Sequence, residues 1–340
     1  MKEALFYSKM AGQKVRCVLC PRFCIIQDGK LGACGARKNQ AGTLYSAVYG
    51  KLCSLHIDPI EKKPLFHFAP GTECLSIATT GCNLTCSFCQ NWEVSHPEKN
   101  DAIENIQEEM APEKVVALAK EYKVPGIAYT YTEPTVFFEY ALDVMRLARE
   151  AGLYNIWVSN GYTNPEPARK AAKYMDAVNV DLKGDGPFYK KLCGIPDENP
   201  IKESLKIYRK AGVWIEVTTL LIPGYNDSEK TIAGMVKWVK DNLGEETPMH
   251  FSRFYPQYKL ADVQPTPVKT IEDAVSIAEK LGMHYVYAGN VYAHDRESTH
   301  CPKCGRKVID RAGYNVSNIR KTCQSCGTGI KLAGEKWVKL

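Results

Sequence analysis

The stretch "CLSIATTGCNLTCSFCQN", residues 74–91, carries two signals in succession. "CLSIATT" (74–80) is a short run with apolar and β-branched residues, the pattern of a buried strand. Gly81 breaks it, and Cys82, Cys86 and Cys89 follow in CxxxCxxC spacing. Similar runs recur downstream: "GIAYTYT" (126–132), "YNIWVSN" (154–160), "AVNVDLK" (177–183), "VWIEVTTLLI" (213–222), "MHFSRFY" (249–255) and "HYVYAGN" (284–290). Between them, 111–123, 135–152 and 227–244 place apolar residues at three- and four-residue spacing, as helices do. Strand alternating with helix predicts a parallel α/β sheet, and six or so units predict a full or partial βα barrel, with a doubly wound open sheet as the alternative.

In a βα barrel, function gathers at the C-terminal ends of the strands. The unusual residues fall there. The three-cysteine loop follows the first strand, "TEP" the second, "SNGY" the third, "DLKG" the fourth and "IPGYND" the fifth. One mouth therefore collects thiols, carboxylates, a lysine and amides.

The chain has 340 residues and a formal charge of +6 spread over short basic pairs, so solvated surface explains it and nucleic acid is not expected as a partner. No run of eighteen apolar residues and no signal-peptide-like opening is present, which reads as a soluble, cytoplasmic protein with no membrane partner. Fourteen cysteines are many, and their grouping decides their meaning. Cys17, Cys20, Cys24 and Cys34 form one set, Cys82, Cys86 and Cys89 a second, and Cys301, Cys304, Cys323 and Cys326 a third, while Cys53, Cys74 and Cys193 stand alone. CxxC pairs in a reducing compartment point to metal rather than disulfides.

Three thiolates leave a ligand position free. An iron–sulfur cubane bound this way exposes one iron, and a catalytic zinc with a water is the rival. A closed site would need a fourth ligand such as His96 or Cys74. By contrast, "CPKCG" and "CQSCG" offer four thiolates on two tight turns, for which zinc is the expected occupant. The N-terminal set also has four ligands, and zinc and an accessory iron–sulfur cluster remain open for it.

CxxxCxxC with Phe88 before the third cysteine, following a barrel's first strand, resembles the signature of the radical S-adenosylmethionine superfamily. "YTYTEPTVFFEY", "VSNGYTNPEP", "VNVDLKG", "LLIPGYNDS", "HFSRFYPQYK" and the upstream "DPIEKKPLFHF" extend the likeness over most of residues 50–290. Together they resemble the branch related to pyruvate formate-lyase activating enzymes, and within it the radical enzyme of the AmmeMemoRadiSam system. The resemblance implies a 4Fe–4S cluster on Cys82, Cys86 and Cys89 that binds S-adenosylmethionine and cleaves it reductively, giving a 5′-deoxyadenosyl radical that abstracts a substrate hydrogen. It also implies an external electron donor. The substrate stays open, with a protein glycine as one candidate.

The same resemblance assigns cofactor-binding positions. Asp181 and Lys183 match the DxK pair lining the cofactor site, and Glu133 matches the glutamate of the GGE motif, although Tyr131 and Thr132 replace its glycines. Ser159 and Asn160 end the third strand, where ribose contacts are expected. His250, Arg253 and Tyr255 are further mouth candidates, but alternation puts His250 on the opposite face from the other two. The expected layout is a Cys-rich extension (1–72), a partial (β/α)6-type barrel (73–296) and a zinc-ribbon-like module (297–340). Two other functions compete: a non-enzymatic zinc or iron–sulfur adaptor binding RNA or protein, and a zinc hydrolase using the same three cysteines.

Overall fold

Seven parallel strands follow one another across the sheet in sequence order: β2 (Glu73–Thr79), β3 (Gly126–Tyr129), β4 (Tyr154–Ser159), β5 (Ala177–Asp181), β6 (Trp214–Leu221), β7 (Met249–Arg253) and β8 (Val286–Gly289). The structure is a computed structural model describing residues 1–96, 108–292 and 294–338. A doubly wound sheet would reverse its strand order at a switch point, whereas consecutive right-handed crossovers lay every helix on one face. The partial barrel is therefore the architecture. On the edge beside β2 the sheet gains the antiparallel strand β1 (Lys51–Pro59), which lies before the expected module boundary at 72.

The crossover helices are α1 (Pro112–Glu121), α2 (Phe138–Glu150), α3 (Pro165–Ala172), α4 (Asn199–Lys210), α5 (Glu229–Leu243) and α6 (Val268–Lys280). α5 illustrates the local logic: the Ser228 hydroxyl accepts from Thr231 N, buried Ile232, Met235, Val236 and Val239 share a face, and Gly244 ends it at φ +97°. Three helices, α3, α4 and α6, were not expected from the sequence. The buried face of α3 is mostly alanine behind two early prolines, a faint apolar signal. α4 and α6 do bury residues at helical spacing, among them Ile201, Leu205 and Tyr208, and Ile271, Ala274, Val275 and Ala278.

β3 stops at Tyr129, short of the expected 132, because Tyr131 turns into the left-handed region at φ +63°. Such a conformation in a bulky residue costs on the order of 1–3 kcal/mol and needs support. The Tyr131 hydroxyl donates to Asp58, the Lys63 ammonium sits 4.5 Å from its ring centroid, and Asn91 Nδ2 donates to its carbonyl at 2.7 Å. This is the position where the resembling family carries glycine, so the backbone shape that glycine permits is here held by side chains.

Residues 64–68, "PLFHF", cross the concave face of the sheet as a floor. Asn179 on β5 donates to Pro64 O at 2.8 Å, and Glu216 on β6 accepts from Phe66 N at 2.9 Å and His67 N at 2.7 Å. His250 also spends its Nε2 on Glu216, at 2.7 Å, so it supports the floor rather than facing the mouth. The C-terminal residues dock beneath. His67 Nδ1 contacts Lys331 O at 2.6 Å, Ala333 N donates to His67 O at 2.9 Å, and Arg311 Nη2 donates to Phe66 O at 2.5 Å.

His67 Nε2 meets the Tyr287 hydroxyl, so the ring is held neutral, donating from Nδ1. Burial is the main cause that lowers its pKa, to about 4. The unfolded chain then binds more protons below about pH 6.5, and stability falls as pH drops from there toward 4, by at most about 3 kcal/mol from this group. Urea unfolding at pH 7 and pH 4.5 should show that loss in the wild type and a smaller one in His67→Gln. Equal losses in both proteins would exclude His67 as the acid-sensitive group.

Candidate functional site

The loop after β2 is clamped before it presents any thiol. Gly81 has φ +100°, and a Cβ there would lie 2.4 Å from Cys34 O, so backbone from the N-terminal segment occupies the space any side chain would need. Gly81→Ala is expected to lower stability by about 2–4 kcal/mol through strain and overlap, read as a reduced urea midpoint. An unchanged midpoint would mean that the two segments do not pack. Asn83 Nδ2 donates to Tyr162 O at 2.7 Å, Thr85 N to Cys193 O at 3.0 Å, and Ser87 N to Leu192 O at 2.8 Å, tying the loop to the turns after β4 and β5. Gly81 N closes onto Val94 O of the one-turn helix Trp92–Ser95 at 2.8 Å.

Held this way, Cys82, Cys86 and Cys89 face one another closely enough to interact electrostatically. Burial raises the pKa of Cys82 and Cys89. For Cys86 the hydrogen bond with Cys193 leads and burial follows. All three are protonated thiols at neutral pH until a metal displaces the protons. Cys193, which stands alone in the sequence, is thus brought to the side of Cys86 by the short turn Tyr189–Cys193 after β5. Nothing local in the sequence links the two.

The remaining expected residues converge on the same mouth. Asp181 Oδ2 accepts from Lys183 Nζ at 2.6 Å. Burial alone would lower the Lys183 pKa, but Asp181 outweighs it and holds the ammonium charged. Lys183 Nζ also lies 6.0 Å from the Phe88 ring centroid, above the cysteine loop. Asn160 Nδ2 reaches Asn83 Oδ1 at 2.9 Å and Cys82 Sγ at 3.6 Å. Ser159 Oγ donates to Glu133 Oε1 at 2.9 Å. Glu133 is fully buried, and its Oε1 also accepts from Thr135 N and Oγ1 at 3.0 and 2.7 Å, while among the described residues Oε2 accepts only from Asn160 N, at 2.7 Å. Its carboxylate stitches the ends of β3 and β4 together, with lone-pair capacity left on Oε2. Arg253 and Tyr255 bond each other, Nη1 to hydroxyl at 3.0 Å, and Arg253 Nε donates to Thr266 O at 2.5 Å.

The flanking cysteine sets differ from each other. Sγ atoms of Cys301, Cys304, Cys323 and Cys326 all lie within 4.8 Å of one another, with Cys301–Cys326 and Cys304–Cys323 at 3.5 Å. A tetrahedral Zn–S length of about 2.3 Å requires sulfur separations of roughly 3.8 Å, so this set matches a closed four-thiolate site. Gly305 and Gly327, both at φ +72°, donate back to Cys301 O and Cys323 O at 2.9 Å and shape the two turns. Cys17, Cys20, Cys24 and Cys34 instead line a shared cavity with Arg37 and Asn83.

A model of the Radical SAM superfamily matches residues 76–236, which hold β2 to β6 and the whole cysteine loop. The chain carries a radical SAM domain. It is 48% identical to an uncharacterized protein of Methanocaldococcus jannaschii across 98% of this chain and 99% of the relative. A pyruvate formate-lyase-activating enzyme of Clostridium pasteurianum is 24% identical over 54% of this chain and 81% of its own length. Among solved structures, a radical SAM methyltransferase from Sphaerobacter thermophilus shares the fold with TM-score 0.50 at 15% identity, covering 69% of this chain and 70% of that one. No helix among the described residues of this radical SAM protein is long and apolar enough to cross a membrane.

Proposed function

We propose that the chain is an activating-enzyme-like radical SAM enzyme in which Cys82, Cys86 and Cys89 hold a 4Fe–4S cluster with one iron open to S-adenosylmethionine. The observation that carries this reading is the convergence of three half-buried thiols with the Lys183–Asp181 pair and Asn160 at one barrel mouth. Bound there with the cluster, S-adenosylmethionine would supply a 5′-deoxyadenosyl radical by one-electron cleavage of its sulfonium C–S bond, for abstraction of a substrate hydrogen. The chain's own part is placement. Lys183 offers a fixed cation for the methionine carboxylate, Glu133 Oε2 a buried acceptor for the amino group, and Ser159 and Asn160 polar atoms for the ribose.

The electron comes from an external one-electron donor, and the substrate is a protein or a small molecule. The proposed modules are residues 1–72, 73–296 and 297–340, the first lending β1 to the barrel sheet. The last carries structural zinc on Cys301, Cys304, Cys323 and Cys326. The grouping of the cysteines in CxxC-type sets supports a reducing cytosolic setting.

Anaerobic reconstitution with iron and sulfide, followed by dithionite and S-adenosylmethionine, should yield 5′-deoxyadenosine and methionine. Protein that binds iron and sulfide yet forms no 5′-deoxyadenosine overturns the enzyme reading in favour of an adaptor, and protein with zinc but no sulfide at the loop favours a hydrolase. Lys183→Met is expected to raise the KM for S-adenosylmethionine by about 10- to 100-fold, the worth of one charge-assisted hydrogen bond of about 1.5–3 kcal/mol. An unchanged KM would remove Lys183 from the cofactor site.

A further inference from the structure

The N-terminal cysteines surround a cavity whose wall is shared with the radical SAM loop. Cys17, Cys20, Cys24 and Cys34 line it together with Asn83, the residue after Cys82, and with Thr135 and Val136 of the short turn Pro134–Phe137 that follows β3. Three contacts hold this module against the mouth. Cys34 O abuts Gly81, the Arg22 guanidinium donates to Asn83 O and, at 3.0 Å, to Gly194 O, and Asn164 donates to Val18 O at 2.7 Å and Leu19 O at 3.1 Å.

Arg37 supplies the second, independent sign of an occupant. Its side chain is 2% exposed and lines the cavity. Nη1 is spent on Glu139 Oε2 at 2.6 Å, while buried Nε and Nη2 have no hydrogen-bond partner among the described residues. Orphaned guanidinium donors are costly to bury, and they suit a polyanionic group with sulfur acceptors.

Sulfur spacing separates the two metals that four thiolates allow. Among the described residues, the C-terminal set is the one group of three or more cysteine, histidine or acidic residues whose ligand atoms all fall within 4.8 Å of one another. The N-terminal sulfurs are more widely spread than the roughly 3.8 Å edge of a zinc tetrahedron. The Cys17–Cys20 pair lacks the knuckle glycine of the C-terminal turns as well, since Pro21 follows Cys20 where Gly305 follows Cys304 and Gly327 follows Cys326; a glycine at φ +72° follows Cys34 alone in this set. A polynuclear cluster holds its four thiolates at separate irons and so farther apart.

We propose that Cys17, Cys20, Cys24 and Cys34 bind a second 4Fe–4S cluster, with Arg37 as its buried counter-ion, against the back of the Cys82 loop. The site would place a one-electron carrier beside the radical SAM mouth, and it stands independently of what the mouth does.

The test is metal analysis of the full chain, reconstituted anaerobically, in wild type and in Cys82→Ala/Cys86→Ala/Cys89→Ala. The loop variant should keep about four irons and four sulfides with about one zinc, and give the spectrum of a reduced cubane after dithionite. The wild type should hold about twice that iron, and Cys20→Ala/Cys24→Ala about half the wild-type amount. In Arg37→Met, loss of the positive charge should move the midpoint potential of the remaining cluster in the loop variant downward. A loop variant without sulfide, whether it carries about two zincs or none at this site, overturns the proposal even when the mouth proves active. Conversely, an inactive mouth with cluster retained in the loop variant leaves the proposal standing.

Discussion

Cys86→Ala is expected to reduce 5′-deoxyadenosine formation to background, a loss of at least about a thousandfold or roughly 4 kcal/mol of barrier. Cys86 is the middle thiol of the loop, coupled to Cys193 and within the field of the Lys183 ammonium. Removing it leaves two loop ligands, too few to hold a cubane with a single open iron. Cys193 is the control that separates this outcome from a rearranged site. It lies within hydrogen-bonding reach of Cys86, so a closed four-cysteine centre would lose iron in Cys193→Ala as well. The expected result is full iron and near-normal cleavage in Cys193→Ala, against loss of both in Cys86→Ala, measured by iron and sulfide assay and product chromatography. Cleavage surviving in Cys86→Ala would refute the assignment of the loop.

Cys323→Ser is expected to release the metal from the C-terminal module and undo its docking. Structural zinc on four thiolates contributes about 10–16 kcal/mol of apparent binding free energy to the small fold it closes. The buried members of this set, Cys301 and Cys323, pack with Phe66, Tyr285, Tyr287 and Val308, so the loss reaches the barrel floor. Zinc content should fall by about one per chain, cleavage by a protease should appear within residues 297–338, and Tm should drop by about 5–10 °C. Retained zinc with an unaltered digestion pattern would show that the four sulfurs are not its ligands. The Cys82 loop lies at the opposite, C-terminal end of the strands, so iron at the mouth should survive this change.

Much of the architecture is legible from local pattern. β4 to β8 fall within the runs read as strands and β2 starts one residue before its own, because strands buried on both faces give short apolar and β-branched segments that need no partner to be recognised. β3 shows the limit: its aromatic and β-branched run continues past Tyr129, and only the bonds that Tyr131 donates to Asp58 and accepts from Asn91 explain why the strand does not. β1 and the floor at 64–68 were illegible for a related reason. The floor's anchors, Asn179 and Glu216, lie more than a hundred residues away, and its proline, like that ending β1, hides any periodicity.

The candidate site divides along the same line. Spacing alone singled out Cys82, Cys86 and Cys89 and the paired C-terminal turns, since ligands a few residues apart on one loop converge without help from the rest of the chain. Glu133, Ser159, Asn160, Asp181 and Lys183 were placed at strand ends by order in the sequence. Their actual partners were decided by packing: Glu133 bonded to Ser159 and Asn160, and Lys183 drawn to Cys86. The sequence by itself determined the alternation of strand and helix and the three clustered thiols of the first loop, because both arise from short-range periodicity and spacing. Only the tertiary structure decided that Cys193 sits beside Cys86, that Cys34 presses on Gly81, and that Arg37 turns unpaired donors toward the N-terminal thiols, because these contacts join distant segments.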